Sequence, residues 1–165
     1  MAKSLRTTEA TANQNLRDVL ESLQTNACDF VLNTGGLAIK SATSALAKTV
    51  NTIYAKINGA LVKKTAADMA ALSGTVTNAK FNVFVFTMNA SGTLTTTMGT
   101  EGATIGAVVF PAVPASQVVI GFVIINPTGT GNFVGGTTNL DDATVVPNAV
   151  YVDTPYPFNS NAETL

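Results

Sequence analysis

The sequence contains no histidine, no tryptophan and only one cysteine, Cys28, among its 165 residues. Without histidine, Ser-His-Asp and Cys-His catalysis and histidine-based general acid–base chemistry are excluded. A zinc site, which normally uses several histidine or cysteine ligands, is excluded on the same ground. A single cysteine forms no intrachain disulfide, so the chain suits a reducing compartment or a fold that needs no covalent staples.

Basic residues are absent from the second half of the chain. Residues 1–80 contain nine basic and five acidic residues, a net charge of +4, whereas residues 81–165 contain five acids and no base, a net charge of −5. Two interpretations stay open: a basic end faces an acidic partner, or one domain mixes both charges on its surface. Four net positive charges over 80 residues form no basic stripe, so we expect no nucleic-acid partner.

Long hydrophobic runs are also missing. The most apolar run, Val118–Ile125, has 8 residues, whereas a membrane-spanning helix needs about 20. The first ten residues lack the apolar core of a signal peptide. We therefore expect a soluble protein, without a membrane partner, made in the cytoplasm of its host cell.

The clearest helical pattern lies near the N-terminus, over residues 11–26. Leu16, Val19, Leu20 and Leu23 follow the i, i+3, i+4, i+7 spacing of one apolar stripe. A helix of about 15 residues is marginal in water by itself. The stripe is therefore expected to dock on its own domain, on sister subunits or on another protein. We place an arm and helix at residues 1–28, a β domain at 29–153 and an extended tail at 154–165.

Residues 29–153 have the turn spacing and alternation of an antiparallel β-sandwich or jelly-roll-like domain. Asn58-Gly59 between two apolar runs predicts a tight hairpin. Phe81–Met88 is apolar on both alternating faces, which indicates a strand buried on both sides, and Val118–Ile125 predicts another core strand. The sequence also suggests a strand near Ala107–Phe110.

Two segments carry weaker signals. Residues 37–48 fit either a helix or a strand, and Asp68–Leu72 fits one helical turn that ends at the following Ser-Gly pair.

No motif for chemistry emerges from the second half. The paired glycines lack the Walker and dinucleotide-binding patterns. Asp141 and Asp142, with Asp153 or Glu101, offer oxygen ligands for calcium, but without EF-hand spacing a polar turn is the better interpretation. Two acids facing each other across a cleft would be needed for glycosidase chemistry. We predict no cofactor, no resident metal and no catalytic residues.

Six segments together carry a resemblance to a known class of proteins: Asn58–Lys64, Ala66–Gly74, Phe81–Phe86, Ala90–Gly92, Pro114–Gly121 and Phe133–Asp142. In their order and turn pattern they resemble small β-rich virion proteins of tailed bacteriophages, either capsid decoration (cement) proteins or head fibres. The resemblance covers about residues 50–153. The resemblance implies a β-sandwich or jelly-roll-like domain that is commonly trimeric and that is bound to the capsid lattice by a terminal arm. It implies no catalytic activity.

We therefore expect a non-enzymatic protein of the virion that decorates and stabilises the capsid surface. Its expected partners are the major capsid protein and further copies of itself, with which it forms a homotrimer. Its contacts to the capsid or to sister subunits are predicted at Lys3, Arg6, Leu16, Arg17, Val19, Leu20, Leu23, Tyr156 and Phe158. The two aromatic residues of that set lie in the Pro-containing tail, where apolar side chains need a surface to cover. The alternative is a head- or tail-fibre adhesin module that binds host surface glycans.

Overall fold

The computed structural model describes residues 13–17 and 29–155, and it confirms a mainly β, sandwich-like fold. The strands in chain order are β1 (Phe30–Val31), β2 (Leu37–Ile39), β3 (Ala47–Thr49), β4 (Ile53–Ile57), β5 (Ala60–Lys64), β6 (Thr75–Val76), β7 (Asn82–Asn89), β8 (Leu94–Met98), β9 (Gln117–Ile125), β10 (Phe133–Val134) and β11 (Val150–Asp153), with a 3-10 turn at Ile105–Ala107. Their pairings are antiparallel.

Two sheets form the main layers of the fold. One has three strands in the order β1-β4-β5, and the other has four in the order β11-β9-β7-β8. Between them lies the principal core, to which β4 contributes Ile53 and Ile57 and β7 contributes Phe84 and Phe86, all fully buried. Burial of these apolar side chains is the main favourable term for such a fold.

The division between the sheets follows the division of charge along the chain. The three-stranded sheet uses residues 30–64, and the four-stranded sheet uses residues 82–153, the half without lysine or arginine. The two layers of the sandwich are therefore electrostatically unlike.

The central strands are buried on both faces, as the sequence predicts. Along β7, Phe84 and Phe86 face the principal core while Val83 and Val85 face a second core. Phe110 and Phe122 pack edge to face in that second core, with ring centroids 4.9 Å apart. The segment after β8 supplies its cover, so the four-stranded sheet is covered on both sides.

A β-bulge in β9 shifts the pairing of that strand with β7 by one residue. The register with β7 slips between Phe86 and Thr87, which pair with Gly121 and Val119 and leave Ile120 as the extra residue. Gly121 is required because a Cβ there would lie 2.2 Å from the carbonyl oxygen of Val152 and 2.5 Å from the Leu37 side chain. At Gly121 the backbone of β9 therefore lies close to both β11 and the Leu37 side chain of β2.

The Asn-Gly hairpin is confirmed. Asn58 and Gly59 have φ values of 51° and 77°, as a two-residue turn with both central residues at positive φ requires. The turn joins β4 to β5 with Ile57 opposite Ala60. Asp29 accepts a hydrogen bond from the Asn58 backbone N–H at 2.7 Å, which braces the turn against the start of β1.

Two weaker predictions are corrected. The helical turn at Asp68–Leu72 is wrong, because this segment runs extended along β3, where the Met69 N–H donates to the carbonyl of Ala47 at 2.9 Å. The strand near Ala107–Phe110 is replaced by the 3-10 turn and one isolated bridge at Val109.

Residues 37–48, which the sequence left open between helix and strand, form the hairpin of β2 and β3. Of the predicted helix over residues 11–26, residues 13–17 are helical, and the rest lies outside the described residues. In the described part, no helix has the length and apolar character to cross a membrane.

Candidate functional site

The predicted docking residues fall mostly outside the part of the chain that the structure describes. Leu16 and Arg17 lie in the helical residues 13–17, which are exposed; Leu16 is 58% exposed. The other members of the predicted set, Lys3, Arg6, Val19, Leu20, Leu23, Tyr156 and Phe158, lie outside the described residues, so their role stays a prediction.

Among the described residues, the acids of the second half accept hydrogen bonds from backbone N–H groups of neighbouring segments. Asp142 accepts hydrogen bonds from the N–H groups of Thr144 and Val145 at 2.8 and 3.2 Å. Asp141 accepts one from the Thr43 N–H at 2.9 Å. Carboxylates used in this way hold loops in place through charge-assisted hydrogen bonds.

Asp153 and Glu101 act similarly on other segments. Asp153 accepts from the Leu37 N–H with both oxygens at 3.3 Å and so ties the end of β11 to β2. Glu101 accepts from the N–H and hydroxyl of Thr77, both at 3.0 Å. Residues 13–17 and 29–155 contain no group of three His, Cys, Asp or Glu side chains placed to hold a metal ion.

One cleft opens beside β2 and β11, with a volume of about 430 Å³. Its lining includes apolar residues such as Ile39, Leu140 and Val146 and the polar residues Asp141 and Asn148, and its surface is about as polar as it is apolar. Tyr151 also lines it. The Tyr151 hydroxyl is buried and has no hydrogen-bond partner. Burial, and then the negative charge of Asp141, raises the pKa of Tyr151 to about 12, so this hydroxyl stays protonated at neutral pH.

The sheet β1-β4-β5 presents a second candidate surface on the side away from the core. Because Ile53, Ala55 and Ile57 are fully buried, the alternating residues of β4 point outward. Their neighbours on β1 and β5 follow from the strand register. We call the resulting set the outer face: Phe30, Leu32, Tyr54, Lys56, Leu61 and Lys63.

The outer face has two rows of side chains. In one row, Tyr54 lies opposite Lys63, and the Leu32 N–H donates to the Tyr54 carbonyl at 2.8 Å. The Lys63 ammonium lies 5.9 Å from the centre of the Tyr54 ring, within reach of a cation–π attraction. In the other row, Lys56 lies between Phe30 and Leu61.

The sequence contains a signal for part of the outer face. Alternation along 53–57 and the Asn-Gly turn already fix which residues of β4 and β5 share a face. The contribution of β1 could not be predicted, because a strand of two residues is too short to show an alternation of apolar and polar residues.

Comparison with known proteins gives no relative. No protein-family profile, characterised protein or solved structure matches the chain significantly.

Proposed function

We propose that this chain is a non-enzymatic structural protein of a tailed-phage virion that binds the assembled capsid surface and stabilises it. The proposal starts from the resemblance of residues 50–153 to phage decoration proteins and head fibres. The structural observation that supports it best is that acidic side chains of the β domain bind the backbone of neighbouring segments. Asp141, Asp142 and Glu101 hold loops, and Asp153 ties β11 to β2, as suits a rigid scaffold.

Under this proposal the N-terminal segment reaches the capsid. Arg17 and the exposed Leu16 belong to the helical residues 13–17, and the predicted stripe and the basic Lys3 and Arg6 extend this surface. Binding through several copies at once strengthens a modest contact, since each further contact is intramolecular. Because the protein would bind the assembled shell and not its dissociated subunits, it would stabilise the shell by mass action.

The test uses the full-length protein and capsids of the encoding phage assembled without it. We expect the protein to co-sediment with these capsids at a saturable stoichiometry and to raise their thermal disruption temperature. Deletion of residues 1–26 is expected to abolish binding while the β domain keeps its circular dichroism spectrum. A wild-type protein that stays in the supernatant contradicts the proposed function, and retained binding by the truncated protein contradicts only the role of the arm.

A second candidate function is an adhesin module that binds host surface glycans. The cleft beside β11 favours it, since Asp141 and Asn148 supply polar groups next to apolar residues such as Ile39 and Leu140, a combination common in small-ligand sites. Glycan-array binding that is lost in Asp141→Asn and Asn148→Ala supports this function. A silent array combined with capsid binding removes it.

A further inference from the structure

The outer face is the described surface with the strongest features of a docking site. Eight large hydrophobic residues are exposed among the described residues, and three of them, Leu32, Tyr54 and Leu61, share this face. Leu61 is the most exposed of all, at 68%. Scattered exposed apolar residues are ordinary, but a cluster on one face of a sheet indicates a surface that a partner covers.

The charge of the outer face indicates the chemistry of that partner. Lys63 is exposed on this face, and none of the six residues of the face is acidic. Asp29, which lies next to Phe30, binds the backbone of the hairpin turn. A partner that covers this face therefore needs carboxylates near Lys63 as well as apolar side chains, because a lysine left unpaired in a contact costs free energy.

Charge also weighs against two other occupants. If the outer faces of two copies packed against each other in a two-fold arrangement, neither face would supply a carboxylate to the Lys63 of the other copy. Nucleic acid is disfavoured because two lysines, without arginine, form too small a basic footprint for a phosphate backbone. A different protein, acidic where this one is basic, is the better complement.

The outer face also lies where the predicted docking segment ends. Residues 1–28 lead directly into Asp29 and β1, and Phe30 of β1 belongs to the face. A partner held by the N-terminal segment is therefore within reach of the face. Two contacts on one short chain reinforce each other, because the first raises the local concentration of the second.

We propose that the outer face docks against an acidic, partly apolar surface of the protein that binds the N-terminal segment. This inference rests on the proposed function, under which that surface belongs to the assembled capsid. Leu61 and Tyr54 supply the apolar contact, and Lys63 pairs with a carboxylate of the partner.

The experiment measures binding of full-length variants to capsids of the encoding phage assembled without this protein, by co-sedimentation over a range of protein concentrations. Leu61→Glu is expected to weaken binding by about tenfold or more, as for an apolar residue central to an interface. Lys63→Glu is expected to weaken binding and to reduce its dependence on salt. Ile105→Glu is the matched control, because Ile105 is apolar and 48% exposed but lies outside this face, and it should bind within about twofold of wild type.

Circular dichroism and thermal unfolding of the three variants establish that each is folded, which their exposed positions favour. If wild type binds and both outer-face variants bind equally well, the inference is wrong and the proposed function stands. If Leu61→Glu instead lowers the mass of the isolated protein in light scattering, the face joins copies of this chain and the inference is also wrong. If wild type does not bind capsids at all, the proposed function and the inference fail together.

Discussion

Replacement of Phe84 by alanine tests whether the two sheets share the core described above. Phe84 is fully buried in the principal core, and its ring meets that of Phe133 at 66° with centroids 5.8 Å apart. Removing a buried phenylalanine costs about 3–5 kcal/mol in unfolding free energy, through lost burial and the cavity left behind. That is a large fraction of the ~5–15 kcal/mol that stabilises a typical domain.

The assay is urea unfolding followed by circular dichroism. With a denaturant dependence of about 2 kcal/mol per molar urea, a cost of ~3–5 kcal/mol lowers the midpoint by roughly 1.5–2.5 M. Leu61→Ala is the matched control, since that side chain is 68% exposed, and its midpoint should move by less than about 0.3 M. Equal shifts for the two variants would refute the assignment of Phe84 to the core.

Two further predictions concern β11 and the cleft beside it. Gly121→Ala is expected to destabilise the protein by about 1–3 kcal/mol or more, because its Cβ would overlap the Val152 carbonyl oxygen. Chemical unfolding measures this loss, and wild-type stability would contradict the close approach of β11 to Gly121. Tyr151→Phe is expected to leave stability at pH 7 unchanged or to raise it, because the lost hydroxyl is buried without a partner. The pKa of Tyr151 is about 12 in the folded protein and 10.0 ordinarily, so the folded state holds this proton more tightly and wild-type stability should fall between pH 10 and 12. The Tyr151→Phe variant should lose less stability over that interval in parallel melting curves, and identical pH profiles would show that Tyr151 is not shielded.

The central strands could be predicted from the sequence because their signals are local. Phe81–Met88 and Val118–Ile125 are apolar on both alternating faces, and this pattern fits few structures other than a strand buried on both sides. The hairpin between β4 and β5 was predictable for a similar reason, since Asn58 and Gly59 suit the backbone angles of the turn.

The segments predicted wrongly are those whose structure depends on distant partners. Asp68–Leu72 has a helical appearance, but the carbonyl of Ala47 and the side chain of Lys40, 2.6 Å from the Asp68 carboxylate, hold it extended. In the segment Ala107–Phe110, Val108 and Phe110 are apolar because they pack in the second core, which requires burial but no ladder of hydrogen bonds. The local sequence alone does not distinguish a helix or a strand from an extended segment held by distant contacts.

For the candidate sites too, some features could be predicted from local sequence and others depend on distant contacts. Absence of histidine excluded whole classes of catalysis from the sequence alone. Asp141 and Asp153 bind the backbone of Thr43 and Leu37, about a hundred residues earlier in the chain. The sequence alone therefore shows that these residues are acidic but not what they bind. The outer face depends on β1 pairing with β4, a contact that no local pattern indicates.

Quantitative mass spectrometry of purified virions of the encoding phage tests the central claim most directly. The account predicts that the protein is present in many copies relative to the major capsid protein and is accessible to surface labelling of intact particles. Particles that are complete without it, in a phage whose host expresses it during infection, would contradict the assignment to the capsid surface.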